Sequence, residues 1–142
     1  MSGTDRQRLI DQLIIDEDLR LKPYVDTVGK ITIGCGRNLS DKGISHTEAM
    51  MLLDHDLDEA ITDLAGAFPW FLTLDAIRQR ACCNLRFNLG PTRFRGFKKF
   101  LAAMAAEDYP KAASELRRSR WYGQVGRRGP RLVHMILEAT AP

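Results

Sequence analysis

The feature that most constrains this chain is a change of hydrophobic period near residue 20. Leu9, Ile10, Leu13 and Ile14 recur at helical spacing, and Glu17 continues the stripe 10–13–14–17 although it is charged. Pro23 then blocks helix continuation, and Asp26-Thr27-Val28-Gly29 supplies turn chemistry. Ile31-Thr32-Ile33 alternates with the period of a strand. Gly34 and Gly36 punctuate the chain, residues 38–43 read as a loop, and every later apolar pattern is helical. The fold class is therefore α+β and mostly helical, with a β-hairpin confined to the N-terminal third.

Capping chemistry sets the expected helix boundaries. Thr4-Asp5-Arg6-Gln7 fits a capping box with Thr4 as N-cap, which starts a first helix running to about residue 18. Ser45-His46-Thr47-Glu48 is a second box, and Leu52, Leu53, Leu57, Ala60, Ile61 and Leu64 make the helix after it long and amphipathic. Phe68-Pro69-Trp70 ends that helix. Asp75 caps another through Leu89, closed by Gly90 with Pro91 beyond. Phe94, Phe97, Phe100, Leu101 and Met104 form one further stripe, and Asp108-Tyr109-Pro110 opens the next helix. Gly123, Gly126, Gly129 and Pro130 are expected to break the chain before a last short helix over residues 132–138. One domain results, with a small N-terminal lobe over about residues 1–50, a connecting helix over about 46–66 and a helical C-terminal lobe over about 67–142.

At 142 residues, 44% apolar and 27% charged, the chain can bury one core without disulfide or metal support. Its net charge of +3 is unevenly placed. Residues 1–63 carry seven Lys/Arg against thirteen Asp/Glu, whereas residues 93–142 carry eleven against four. A basic C-terminal half implies attraction to an anionic partner such as nucleic acid, a membrane surface or an envelope polymer. Cys35, Cys82 and Cys83 match no zinc spacing, and His46, His55 and His134 are too scattered to complete one, so no metal and no cofactor is expected. The cysteines read as buried reduced thiols. The first residues lack an apolar signal segment, and no run approaches the roughly 20 apolar residues of a membrane span. Synthesis in a cytoplasm is expected, with any passage outward depending on outside help.

Glu17 and Asp26 are the candidate chemistry. An apolar helix face and a helix C-terminus both disfavour the charged form of Glu17. Asp26 lies in a polar turn rich in backbone donors and is expected to stay ionised. One protonated and one ionised carboxyl are what acid/base cleavage of a sugar chain requires. Thr32, on the strand beside the turn, could hold a water. Spacing alone is equally compatible with an exposed helix-end acid and a simple turn-former.

Residues 13–37, from Leu13-Ile14-Ile15-Asp16-Glu17 through Leu19-Arg20-Leu21-Lys22-Pro23-Tyr24-Val25-Asp26 and Gly29 to Thr32-Ile33-Gly34-Cys35-Gly36-Arg37, resemble the active-site segment of the T-even phage lysozymes, the family 24 glycoside hydrolases. Asn84-Leu85-Arg86-Phe87-Asn88-Leu89-Gly90 is similar to a second family block, and Ser119-Arg120-Trp121-Tyr122 to a third. The resemblance implies a lysozyme-like fold with a cleft between the lobes. It also implies hydrolysis of the β-1,4 bond between N-acetylmuramic acid and N-acetylglucosamine in peptidoglycan. By it, Glu17 is the general acid, Asp26 the base or electrostatic partner and Thr32 the residue that helps place the water, with inversion at the anomeric carbon. Tyr24, Phe87 and Asn88 match substrate-lining positions. Trp121 and Tyr122 read as core or lobe anchors before sugar-stacking residues. A monomer acting on peptidoglycan glycan strands is implied, with no nucleic-acid partner and with the basic half drawn to anionic outer-membrane polymer. The implied role is that of a phage endolysin, made in the host cytoplasm and released to the periplasmic wall through a separate pore. The competing class is a non-catalytic binder of envelope polymer or nucleic acid through Arg117, Arg118, Arg120, Arg127, Arg128 and Arg131.

Two positions depart from the family pattern. Asp18 stands where the family usually has Gly, and Arg37 stands where the T-even members have His. Arg37 is expected to pair with an acid on the following helix. The chain is also shorter than the T-even proteins between hairpin and long helix.

Overall fold

The computed structural model describes residues 1–140. Eight α-helices and a three-stranded antiparallel sheet follow in the order α1 (Gly3–Glu17), β1 (Arg20–Val25), β2 (Ile31–Gly34), β3 (Arg37–Asn38), α2 (His46–Ala67), α3 (Ala76–Leu89), α4 (Pro91–Arg95), α5 (Lys98–Ala105), α6 (Tyr109–Arg117), α7 (Arg120–Gln124) and α8 (Arg128–Glu138). A short 3-10 turn, Pro69–Thr73, joins α2 to α3. The protein has the mostly helical α+β, lysozyme-like fold expected from the sequence. It divides into two compact units between Met51 and Leu52.

The first unit is built from caps and turns. Ser2, not Thr4, caps α1: its Oγ accepts from the Asp5 amide at 3.1 Å and donates to the Asp5 carboxylate at 2.7 Å. Serine followed three residues on by an acid makes a reciprocal box one turn-step earlier than the threonine would. Strand β1 runs through Pro23, where the sequence suggested only a helix stop. Its ladder with β2 pairs Arg20 with Gly34, Tyr24 with Thr32 and Val25 with Ile31, and a bulge falls between Arg20 and Tyr24. The bulge gives Pro23, which lacks an N–H, a place in the strand. The β1–β2 turn is closed by the Gly29 amide donating to the Asp26 carbonyl at 3.1 Å, with Gly29 at φ 84°. Arg37 and Asn38, Asn38 having been expected in a loop, pair with Ile33 and Thr32 as a third strand. The Ser45–Glu48 box forms as expected: the Ser45 amide donates to Glu48 Oε2 at 2.7 Å and the Glu48 amide to Ser45 Oγ at 3.1 Å.

The second unit owns the hydrophobic core. Leu64, Phe71, Leu85, Phe94, Phe100, Met104, Leu116, Trp121, Leu132 and Ile136 are all buried in one cluster. Phe94 stands edge-on to both Phe68 and Phe100, with ring centroids 5.7 Å and 6.4 Å away, an arrangement aromatic quadrupoles favour. Helix α3 keeps its expected limits, with Asp75 Oδ1 accepting from the Arg78 amide and Gly90, at φ 79°, ending it. The apolar stripe from Phe94 to Met104 does not make one helix. Gly96 and Phe97 split it into α4 and α5, so that Phe94 and Phe100 enter the core from separate turns. Gly129 and Pro130 do not break the chain either, because both lie inside α8. A side chain at Gly129 would place its Cβ 2.8 Å from the Tyr122 ring, so glycine is there for close approach. Pro130 sits in the first turn, where no helical N–H bond is lost. The expectation for the cysteines holds for Cys82, whose burial pushes its thiol up, and partly for half-buried Cys83. Cys35 is exposed, its thiol 3.1 Å from the Leu13 carbonyl.

Arginines tie the elements of this unit. Asp63 on α2 accepts from Arg86 Nε at 3.0 Å and from Arg95 Nη2 at 2.6 Å, joining α2, α3 and α4. The two guanidiniums hold the Asp63 carboxyl below the usual carboxylate range, Arg95 having the larger effect. Arg78 donates to the carbonyls of Ile136 and Leu137 at the end of α8 and lies over the Tyr109 ring at 3.6 Å. It thus satisfies carbonyls that no helical turn remains to bond.

Candidate active site

Glu17 is the last residue of α1, and the next residue turns the chain. Asp18 lies at φ 62°, ψ 124°, in the left-handed half of backbone space. That conformation favours Gly: a β-carbon costs roughly 1–2 kcal/mol in such a backbone. Glu17 is exposed, as is all of α1, so the shielding expected from its apolar stripe is absent. Its carboxylate lies against the β2–β3 turn. A Cβ built on Gly36 would stand 3.0 Å from Glu17 Oε2, and Gly36 has φ 75°, so both the approach and the backbone require glycine.

Asp26 sits at the other end of β2, in the β1–β2 turn. Its Oδ1 accepts from the Val28 amide at 3.0 Å and the Lys30 amide at 2.8 Å. Oδ2 has no protein donor among the described residues. The same Lys30 peptide links Asp26 to Thr32. The Lys30 carbonyl accepts from the Asp26 amide at 2.9 Å and from Thr32 Oγ1 at 3.2 Å. Thr32 is buried, the one buried residue of the first unit among those described. Tyr24, half-buried, is its cross-strand partner. The sequence-predicted trio is therefore arranged around one short strand, with Glu17 near its C-terminal end, Asp26 at its N-terminal end and Thr32 within it.

The ion pair expected of Arg37 forms with Glu48 on α2. Arg37 Nη1 and Nη2 reach the two carboxylate oxygens at 2.8 Å and 2.7 Å, and Nη1 also donates to the Gly43 carbonyl. The Arg37 fork, then the Ser45 amide, hold the Glu48 carboxyl down at about 2. This planar bidentate pair fixes β3 to the start of α2.

The remaining predicted residues belong to the second unit. Phe87 is exposed and, with Leu57, Ile61, Leu72, Cys83 and Asn84, lines an open groove of about 550 Å³. Asn88 is exposed, and its Oδ1 accepts from Trp121 Nε1 at 2.8 Å. Trp121 itself is buried, as expected of an anchor rather than a sugar platform. Asn88 thus keeps its two amide N–H groups and the second lone pair of Oδ1 for a ligand. Sequence reasoning missed the contact of Gly36 with Glu17, the bridging Lys30 peptide and the stacking of Arg20 on Tyr24. The Gly-x-Gly spacing of Gly34 and Gly36 was the available signal for the first; nothing local signalled the others.

The chain matches the family model described as phage lysozyme over residues 15–134. It is 27% identical to "Probable T4-type lysozyme 2" of Dictyostelium discoideum, covering 93% of this chain and 95% of that protein. It is 29% identical to "Pre-baseplate central spike protein Gp5" of Enterobacteria phage T4, covering 91% of this chain but 27% of that larger protein. The family match takes in Glu17, Asp26, Thr32 and the C-terminal arginines from Arg117 to Arg131, and the Dictyostelium likeness runs nearly end to end. On that evidence this chain belongs to the phage lysozyme family and is a lysozyme-type glycoside hydrolase with peptidoglycan as its substrate.

Proposed function

We propose that the protein hydrolyses the β-1,4 bond between N-acetylmuramic acid and N-acetylglucosamine, with inversion, using Glu17 as general acid and Asp26 as general base. The observation that carries this reading is the placement of the two carboxylates at opposite ends of β2, with Thr32 between them. Inversion requires the two carboxyls to stand roughly 6.5–9.5 Å apart, with a water between the sugar and the base.

Each group has one step in this reading. Glu17 gives its proton to the glycosidic oxygen as the bond to the anomeric carbon breaks. The water oxygen adds to the opposite face of that carbon and passes a proton to Asp26. Asp26 Oδ1 is held by two amides, so Oδ2 is the oxygen left to take it. Thr32 spends its hydroxyl proton on the Lys30 carbonyl and can therefore only accept from the water, which orients it. Asp26 then releases its proton to solvent, and solvent returns one to Glu17. Half-buried Tyr24 is a candidate sugar contact in the first unit, and exposed Phe87 and Asn88 are candidates in the second.

Lysis of host cells as an endolysin, after synthesis in the host cytoplasm and release to the periplasmic wall through a separate pore, extends the same reading. The cations Arg93, Lys98, Lys99, Arg117, Arg120, Arg127 and Arg131 have no ion-pair partner within 4.0 Å among the described residues, which supports added attraction to anionic envelope polymer. Digestion of purified cell walls by wild type, Glu17→Gln and Asp26→Asn, with product anomers followed by NMR, tests the chemistry. Glu17→Gln is expected to lose at least about 100-fold in rate while remaining folded. Near-normal digestion by that variant removes Glu17 from the acid role, and retention of anomeric configuration removes the proposed water attack. Salt-sensitive polymer binding that survives Glu17→Gln with no wall cleavage by wild type would favour the non-catalytic binder.

A further inference from the structure

Asp18 occupies a backbone conformation that its side chain makes costly. Its carboxylate has a specific partner. Asp18 Oδ2 lies 3.4 Å from Arg20 Nε, and the Arg20 guanidinium carbon stands 4.4 Å from the centre of the Tyr24 ring. The contact puts Arg20 and Tyr24 on one side of β1 despite the bulge between them. Tyr24 pairs directly with Thr32, and Arg20 with Gly34, two residues before the glycine that meets the Glu17 carboxylate. A continuous path thus runs from the residue after the acid, across Arg20 and Tyr24, to the residue that orients the water.

We propose that Asp18 and Arg20 are positioning residues: the Asp18 carboxylate holds the Arg20 guanidinium over Tyr24 and fixes that ring for contact with the glycan. The inference rests on the assignment of Tyr24 as a glycan-contacting residue. The geometry favours it over a purely structural role for Asp18. A residue retained only for folding would be better as Gly, which has no β-carbon to strain at φ 62°. Arginine suits the middle position because its planar group can meet a carboxylate at one edge and a ring on its face at once, which an ammonium cannot.

The test measures the half-saturating wall concentration, kcat and thermal midpoint of wild type, Asp18→Asn, Asp18→Gly, Arg20→Gln and Arg20→Lys. Asp18→Asn and Arg20→Gln are expected to raise the half-saturating concentration by roughly two- to fivefold with little change in kcat, the scale for an exposed pair and stack. Asp18→Gly should show the same rise while its thermal midpoint increases. Arg20→Lys should fall between wild type and Arg20→Gln. Unchanged half-saturating concentrations in Asp18→Asn and Arg20→Gln overturn the proposal. So does a loss of activity that follows lost thermal stability across the set. A parallel Glu17→Gln sample separates the two levels: if it still digests walls, the reading of the site fails; if it is inactive while Asp18→Asn and Arg20→Gln match wild type, only this inference fails.

Discussion

The two compact units hold themselves together by different means. In the first, Thr32 is the one buried residue among those described, and structure comes from directional bonds: the Ser2 and Ser45 caps, the Asp26 turn and the Arg37–Glu48 fork. In the second, a continuous apolar cluster drawn from α2 to α8 carries the fold, and polar groups serve to join helices around it. The difference teaches why the candidate chemistry lies where it does. A carboxylate that must meet water and sugar is better placed by backbone amides and glycine turns than by a core, since those position it without burying it.

The comparison can be broken most sharply in the core. Phe100→Ala removes a fully buried ring from the centre of the cluster and is expected to cost about 3–5 kcal/mol in a denaturant titration. A loss below about 1 kcal/mol would mean that the second unit does not depend on its core as described. The next largest effect is expected at Asp63. Asp63→Asn leaves Arg86, whose side chain is 9% exposed, without its counter-charge. A fully buried broken pair costs roughly 3–5 kcal/mol, and the partial exposure of Asp63 lowers the expectation to about 2 kcal/mol. Arg86→Met in the same background should recover part of that loss, because the unpaired charge is then gone as well.

The smallest effect is expected in the first unit, at the half-buried Arg37–Glu48 fork, and it is a pH effect. The Arg37 fork holds the Glu48 carboxyl down at about 2 in the folded protein, against an ordinary 4.5. A depressed carboxylate contributes stability above its unfolded value and loses it as pH falls through the folded one. The difference in stability between wild type and Arg37→Gln should therefore be constant above about pH 5, shrink below that, and vanish near pH 2. A difference that grows on acidification would reverse the assignment.

Much of the helix pattern was legible because its signals are local. The Asp75 cap, the Gly90 stop, the Asp108 start and the Ser45–Glu48 box each read correctly from residues within four positions of one another. Errors fell where two local signals competed or a distant group decided. Thr4 and Ser2 both qualify as caps, and the better-spaced acid, Asp5, selected Ser2. Gly129 and Pro130 look like a break but form the first turn of α8, because Tyr122 needs the space a side chain would fill. The site was legible in part: Glu17, Asp26 and Thr32 could be named from residues 13–37, yet the exposed setting of Glu17 contradicts the shielding its stripe suggested.

The class of fold and the main helices are written in local sequence, which also nominates Glu17, Asp26 and Thr32 as candidates for acid/base chemistry, since period, caps and turn residues act over a few positions. Only the tertiary structure decided that Asp63 gathers Arg86 and Arg95, that Gly36 meets Glu17, that one Lys30 peptide serves both Asp26 and Thr32, and that Arg20 stacks on Tyr24 beside Asp18. Those contacts depend on strand register and helix packing, which are fixed by burial and pairing across the whole unit and leave no mark in local spacing.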